Sequence, residues 1–258
     1  MPIITLISDT GNSGYYSAAI KAAILKELPS VTIIDITHNI KPFHILEAAF
    51  VLRTVYHNFP TGTIHLTAVD AQIEGPRRFV ALHAGGHYFV GADNGLFSIA
   101  LAGKDVEAFE IIIPAGIDYE KFPAAGILAK TACAIAIGTH LDQIGKGITA
   151  QHYLEAMHPT YDSHSITTRI VYTDEYGNCF CNLDLTLFTK TVGIRPFYID
   201  IKGYTVEGIS NNYDAVKHGE IVALFSTSGL LELAISYGNL SQLLGLKDGD
   251  SVLIKIGD

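Results

Sequence analysis

Residues 69–78 read VDAQIEGPRR and follow a strand-like run, TIHLTAV (63–69). Asp70 therefore stands where a strand ends, and Arg77 and Arg78 return after a polar loop holding Gly75 and Pro76. A carboxylate followed by a guanidinium allows two readings. One is a loop with a surface ion pair. The other is a site for an anion or a water, oriented by the acid and held by a cation that stays charged. Two more segments have the same character, SDTGNSGYY (8–16) and THNIKPFH (37–44). They offer Asp9, a carboxylate suited to hydroxyl donors, and Phe43, an aromatic face. An Asp at a strand tip is often only a cap or turn former. Two such tips beside an arginine pair make a stronger pattern. Far along the chain, YTDEYGNCFCN (172–182) carries D-x-x-G-N. Gly177 and Asn178 tolerate positive φ and suit a hairpin turn, whereas the Asn178 amide suits a ligand edge.

The elements that must position these residues change character along the chain. ITLIS (3–7), TIIDIT (32–37) and TIHLTAV read as strands. SAAIKAAILKEL (17–28) and HILEAAFVLRTVYHNF (44–59) repeat apolar residues at helical spacing. FVALHAGGHYFVGA (79–92) predicts a hairpin turning at Gly85-Gly86, AFEIIIP (108–114) a strand, and PAAGILAKTACAIAIG (123–138) a helix of small residues. This alternation predicts an α/β N-terminal domain over 1–157 with a mainly parallel sheet. HPTYDSHS (158–165) reads as a polar linker. Beyond it, short strands separated by Gly, Asn and Asp predict a smaller all-β barrel or sandwich over 166–258. In an open parallel sheet ligands bind beyond the carboxyl ends of the strands, and the Asp9, Phe43 and Asp70 segments leave strands there.

Composition narrows the function classes. A chain of 258 residues with a net charge of −9 has no basic stripe, which argues against nucleic acid as the main partner. No apolar run approaches the roughly 18 residues of a membrane span, and MPIITLIS reads as a first strand, not a signal peptide. The cysteines are Cys133, Cys179 and Cys181; the last two are expected to face opposite ways and to form neither a disulfide nor a zinc knuckle. A reducing cytoplasm is the simplest home. His38, His44, His57, His65 and His83 form no H-x-x-x-H pattern, so no metal is expected and most read as core or surface histidines. His38 fits a pocket wall or a loop cap equally.

These segments together resemble the S-adenosylmethionine hydroxide adenosyltransferase family, whose relatives include fluorinases and chlorinases. The resemblance runs nearly end to end through SDTG (8–11), DITHNIKPF (35–43), EAAFVLRTVYHNFPTGTIHLTAVD (47–70), RRFVAL (77–82), YFVGADNGLFS (88–98), YTDEYGNCFCNL (172–183) and SGLLELAISYGN (228–239), continuing into LLGLKDGDSV (243–252). It implies an α/β domain followed by a β domain. It also implies a homotrimer whose sites lie between one subunit's N-terminal domain and a neighbour's C-terminal domain. S-adenosylmethionine is the implied substrate, with no cofactor. By resemblance Asp9 binds the ribose hydroxyls and Phe43 lies beside the ribose and adenine; Tyr16, in the loop after Asp9, reads as lining the pocket. Asn178 with its neighbour Asp174 meets the substrate, Tyr213 stacks on adenine, Ser228 holds the methionine end, and the backbone at Tyr237 meets the adenine edge. Asp70 and Arg77 match two members of a water-activating triad.

The implied reaction is attack of water or hydroxide on C5′, releasing adenosine and L-methionine. The departing group is a neutral thioether, so an anion arriving from behind cancels the sulfonium charge, and a dry site favours the step. Water must lose a proton, and a carboxylate near its usual pKa of about 3.9 is a poor base for it. The arginine therefore carries much of the expected stabilisation. The chain departs from the family at three places. Ala115 and Ile117 stand at the His and Arg of its T-F-H-G-R-D stretch, Gly14 at an expected Asp, and DAQIEGPRR lacks the glycine-rich middle of the matching loop. The departures leave alternatives to a hydrolase: a member that binds S-adenosylmethionine or adenosine without turnover, or an adenosyl enzyme with another substrate or nucleophile. Retention of Asp70 and Arg77 points to water over halide.

Overall fold

In the computed structural model, residues 1–71, 78–113, 121–149 and 158–257 are described. The chain divides into two compact units, Met1–Glu155 and Ala156–Asp258.

In the first unit the strands are β1 (Ile3–Ser8), β2 (Thr32–Thr37), β3 (Ile64–Ala68), β4 (Phe79–Ala84), β5 (His87–Ala92), β6 (Val106–Ile111) and β7 (Gly145–Gly147). They form one sheet in the order β2-β1-β3-β5-β4-β6-β7. The expectation of a mainly parallel sheet is corrected to a mixed one. β2, β1, β3 and β5 run parallel, but β4, β6 and β7 join antiparallel. The cause is local. Gly85 and Gly86 have φ of 56° and 80°, the pair of positive values that a two-residue hairpin turn needs. The hairpin sets β4 antiparallel to β5, and β6, reached from β5 through a short helix, pairs antiparallel with the far edge of β4.

Helix α1 (Tyr16–Glu27) buries Ile20 and Ile24 one turn apart and packs with α4 (Ala129–Ala136) against Ile4, Leu6, Ile64 and Leu66. The small buried residues of α4, Ala129, Thr131, Ala132 and Cys133, let its backbone come close to the sheet, and a short helix, α5 (Leu141–Ile144), leads into β7. Helix α2 (Ile45–Val55) lies against α3 (Leu96–Ala100), a short helix that the sequence pattern did not signal. The α2 helix ends one turn before its apolar repeat does, and Tyr56–Asn58 tighten into a 3₁₀ turn.

In the second unit the strands are β8 (Thr160–Tyr161), β9 (Ser165–Thr173), β10 (Cys179–Asp184), β11 (Phe197–Ile201), β12 (Tyr204–Glu207), β13 (Ile221–Phe225), β14 (Leu230–Ile235) and β15 (Ser251–Ile256). They form an antiparallel sheet in the order β12-β11-β15-β9-β10-β14-β13. Ser210 N–H, just past β12, donates to Ala223 O on β13 at 2.7 Å, which draws the two edges into a nearly closed barrel. The unit is not all-β as expected. It also holds α6 (Leu185–Val192), capped by Asp184, and α7 (Leu240–Leu244), capped by Asn239. Part of the expected linker, Thr160–Tyr161, is a strand hydrogen-bonded to β9. Cys179 and Cys181 are free and share one core with Ile166, Leu233 and Ile254. The expectation that they face apart fails, because residues two apart in a strand point to the same face.

Candidate functional site

Parallel register brings three strand tips together in the first unit. Ser8 pairs with Ala68, and Ile7 with Thr37, so the loops after β1, β2 and β3 leave one edge of the sheet side by side. Asp9, one residue past β1, is the hub. Its Oδ2 accepts the backbone N–H of Phe43 at 2.9 Å and that of Asp70 at 3.1 Å. Both donors sit in left-handed backbone, Phe43 at φ 64° and Asp70 at φ 43°. Such conformations cost energy in non-glycine residues and persist where surrounding bonds fix them. Here the fixed carboxylate does so, and Asn94 helps: its Nδ2 donates to Val69 O at 3.0 Å and Asp70 O at 3.3 Å.

A cleft of about 210 Å³ opens at this edge. Four predicted residues line it, Asp9, Tyr16, Phe43 and Asp70. Thr10, Lys121 and Phe122, which the sequence reading did not single out, line it too. Tyr16 opens α1 and packs edge-on against Phe122 with ring centroids 5.2 Å apart. Phe43 is 66% exposed, so its ring is available to a partner. The loop carrying it is held from behind by Glu47, a buried carboxylate that accepts from Lys41 N–H at 3.4 Å. Glu47 was also missed, since its place in an apolar helix face gave no chemical signal.

The two arginines of the opening motif part company. Arg78 is committed to structure: its Nε donates to Asp93 at 2.9 Å, and Nη1 lies 3.6 Å from Glu110. Arg77 lies outside the described residues, as do Ala115 and Ile117.

Behind the cleft wall runs a line of polar groups. Thr10 Oγ1 is 2.9 Å from Ser8 Oγ, which is 2.7 Å from His38 Nδ1. His38 Nε2 is 3.1 Å from Asp35 Oδ1, bent from a straight hydrogen bond, and Lys21 Nζ donates to Asp35 Oδ2 at 2.5 Å. Burial alone would raise the Asp35 pKa, but the hydrogen bonds from Lys21 and His38 outweigh it and lower it.

The second unit gathers most of the remaining predicted residues around one turn. Asp174 closes the turn between β9 and β10: its Oδ1 accepts the N–H of Tyr176 at 3.0 Å and of Asn178 at 2.9 Å. Its Oδ2 accepts from Asn178 Nδ2 at 3.1 Å, so Asp174 orients the Asn178 amide. Gly177 has φ 81°, and a Cβ there would fall 2.1 Å from Asn239 Oδ1. Ser241 N–H donates to Gly177 O at 3.0 Å. The turn is thereby fastened to the loop holding Tyr237, which has φ 56°, is 81% exposed and lies against His218. Tyr213 Oη donates to Glu232 Oε1 at 2.7 Å. Glu232 is buried on β14; burial first, and then the charge of Asp174, raise its pKa. Ser228 is not gathered with them. It lies in the turn before β14, bonded to Ser226, while Tyr237 follows the far end of the strand, roughly 17–20 Å away by strand rise.

The arrangement offers an anchored carboxylate with a second carboxylate and an exposed ring beside it in one unit, and an oriented amide beside exposed aromatics in the other. Residues 4–145 match the SAM hydroxide adenosyltransferase N-terminal domain, and residues 168–253 its C-terminal domain. A relative from Thermus thermophilus named (R)-S-adenosyl-L-methionine hydrolase is 27% identical, with 95% of this chain and 96% of that protein covered. One of the same name from Methanocaldococcus jannaschii is also 27% identical, covering 98% and 96%. A crystal structure of an uncharacterized conserved protein from Thermotoga maritima superposes with a TM-score of 0.88 at 26% identity, over 99% of this chain and 100% of that one. With both domains matched in order across most of its length, this chain belongs to the SAM hydroxide adenosyltransferase family.

Proposed function

We propose that this protein hydrolyses S-adenosylmethionine to adenosine and L-methionine by attack of water or hydroxide on C5′. The observation that carries the reading is a family match through both domains, joined to a cleft where Asp9, Phe43 and Asp70 meet. Asp9 binds the ribose diol: two backbone donors hold one of its oxygens, and a carboxylate has acceptor sites to spare for hydroxyl groups. Asp70 orients the attacking water, and Arg77 stabilises hydroxide character on it. Phe43 and Tyr16 exclude bulk water. Tyr213, Asn178 with Asp174, Ser228 and Tyr237 receive the adenine and methionine ends. S-adenosylmethionine is the substrate, and neither metal nor cofactor enters the step, because the sulfonium already supplies the leaving group.

The working form in this proposal is a homotrimer, with the first unit of one copy facing the second unit of another. The cleft of about 210 Å³ supports this, being smaller than the roughly 300–1,000 Å³ of pockets that enclose a small ligand alone. Three free, buried thiols fit a reducing compartment such as the cytoplasm, and among the described residues no helix is long and apolar enough to cross a membrane.

The test is incubation of the purified protein with S-adenosylmethionine in halide-free buffer, following adenosine and methionine by chromatography with mass detection. Equal formation of both is expected, abolished in Arg77→Ala with binding retained. Intact substrate over many hours, with binding seen by calorimetry, would replace the hydrolase by the binding-only reading that Gly14 and Ala115 raise.

A further inference from the structure

Hydrolysis at C5′ releases a proton, and the residues assigned above do not accept it well. An ordinary carboxylate, with a pKa of about 4, is a weak base for water, and an arginine is already protonated. The cleft wall offers another route. Thr10 lines the cleft and stands 2.9 Å from Ser8, which is 2.7 Å from His38. Ser8 is fully buried and His38 is 2% exposed, so neither touches a substrate directly. An Asp–His–Ser line of this kind invites a nucleophile reading, but a serine without access cannot attack anything. Among the described residues, Thr10 connects it to the cleft.

The polarity of the line follows from its far end. A carboxylate only accepts, so the His38 Nε2 facing Asp35 at 3.1 Å carries the proton. Nδ1 is then the acceptor for the Ser8 hydroxyl, and the Ser8 oxygen accepts from Thr10. That leaves the Thr10 oxygen as an acceptor at the cleft. Every donor points away from the cleft toward the imidazole.

We propose that Thr10, Ser8 and His38 form a proton relay that takes the proton of the attacking water out of the cleft, with Asp35 and Lys21 holding the resulting imidazolium. The inference rests on the hydrolase reading. As the C5′–O bond forms, the C5′–S bond breaks and its electron pair stays on sulfur. The water proton passes to the Thr10 oxygen, that of Thr10 to Ser8, and that of Ser8 to His38 Nδ1. The imidazolium then faces Asp35, which is itself paired with Lys21 and is 39% exposed at its side chain, so the proton has an exit to solvent. Among the described residues, the charged groups set along the line are Asp35 from β2 and Lys21 from α1, and β1 presents the Ser8 hydroxyl. Thr10 is the residue that meets the water, and Ser8, His38 and Asp35 act through it. This assigns work to a histidine other than the one missing at Ala115.

The test compares wild type with Ser8→Ala, His38→Gln and Asp35→Asn for adenosine formation from S-adenosylmethionine between pH 5.5 and 9. Affinity is read by calorimetry and folding by circular dichroism. Ser8→Ala and His38→Gln are expected to keep wild-type affinity and lose at least about tenfold in kcat at neutral pH. The loss should shrink as rising pH supplies hydroxide, and the double variant should be no worse than either alone. Asp35→Asn should shift the pH profile without loss of fold. A folded variant with wild-type kcat and pH profile, or a loss equal at every pH, overturns the relay. If the buried variants fail to fold, the wild type decides: kcat in mixtures of H₂O and D₂O should curve, as for several protons in motion, and a linear dependence or none overturns it. Absence of adenosine from the wild type rejects the hydrolase reading, and the relay with it; unchanged variants beside an active wild type reject the relay alone.

Discussion

Asp9 shows how much one side chain sets at the residue scale. Its Oδ2 binds the backbone of two other loops, and both donors are in left-handed backbone. Removing that acceptor leaves two N–H groups without their partner, at about 1–3 kcal/mol for each that is buried. Asp9→Asn keeps an acceptor but loses the charge. We expect it to fold with at most a few degrees of Tm lost and to weaken S-adenosylmethionine binding at least about tenfold by calorimetry. Wild-type affinity in a folded Asp9→Asn would remove Asp9 from the ribose site. The same residue explains why Phe43 and Asp70 need no glycine at positive φ: the cost of their conformations is offset locally.

At the level of elements, two features govern stability. The first is the turn between β9 and β10, fixed to the cap of α7 by the close approach of Gly177 to Asn239. Gly177→Ala adds a Cβ at positive φ and into that side chain, so a loss of at least about 2 kcal/mol is expected in denaturant unfolding. Asn178 and Tyr237 should be displaced with it, and ligand affinity should fall alongside stability. The second lies between β3 and β5. His65 accepts or donates at 2.7 Å with Thr5 Oγ1 and lies 3.4 Å from His87, inside a cage made by Tyr56, Phe59 and Phe89. Burial, then the nearby His87, lowers the His65 pKa to about 3. The folded state thus disfavours a proton that the unfolded chain takes up near pH 6.5. Stability from this group is full above pH 6.5 and is lost as pH falls toward 3, by about 2–3 kcal/mol at pH 4.5. Unfolding curves from pH 7 to 4.5 should fall accordingly, and His65→Gln should flatten the fall; an unchanged slope would take His65 out of the account.

For the whole molecule, the proposed trimer makes activity depend on concentration. Ile194, Tyr237 and Tyr176 are strongly exposed apolar or aromatic side chains of the second unit. Sedimentation should give three times the 27.9 kDa chain mass. Specific activity should drop on dilution below the concentration at which trimers separate. Full activity from a monomer would place a complete site within one copy.

Much of this protein was legible in its sequence because the relevant signals are short-range. Alternating and helical periodicities mark burial of one element at a time, and they placed the strands around Ser8, Thr37 and Ala68 and the helices α1 and α2. Gly85-Gly86 and D-x-x-G-N mark turns because only certain residues take positive φ. The family resemblance, too, rests on local motifs in order. What the tertiary structure decided is long-range. Periodicity does not report strand order, so the place of β6 and β7, antiparallel beyond the Gly85-Gly86 hairpin, came only with the fold. Nor does it report hydrogen-bond partners across many residues. The hold of Asp9 on Asp70 and the line from Thr10 through Ser8 and His38 to Asp35 exist because register sets distant strand tips side by side, and the Tyr213–Glu232 bond because a turn folds onto the middle of β14. Residue types supplied the chemistry in each case, and strand order with register chose which of them could meet.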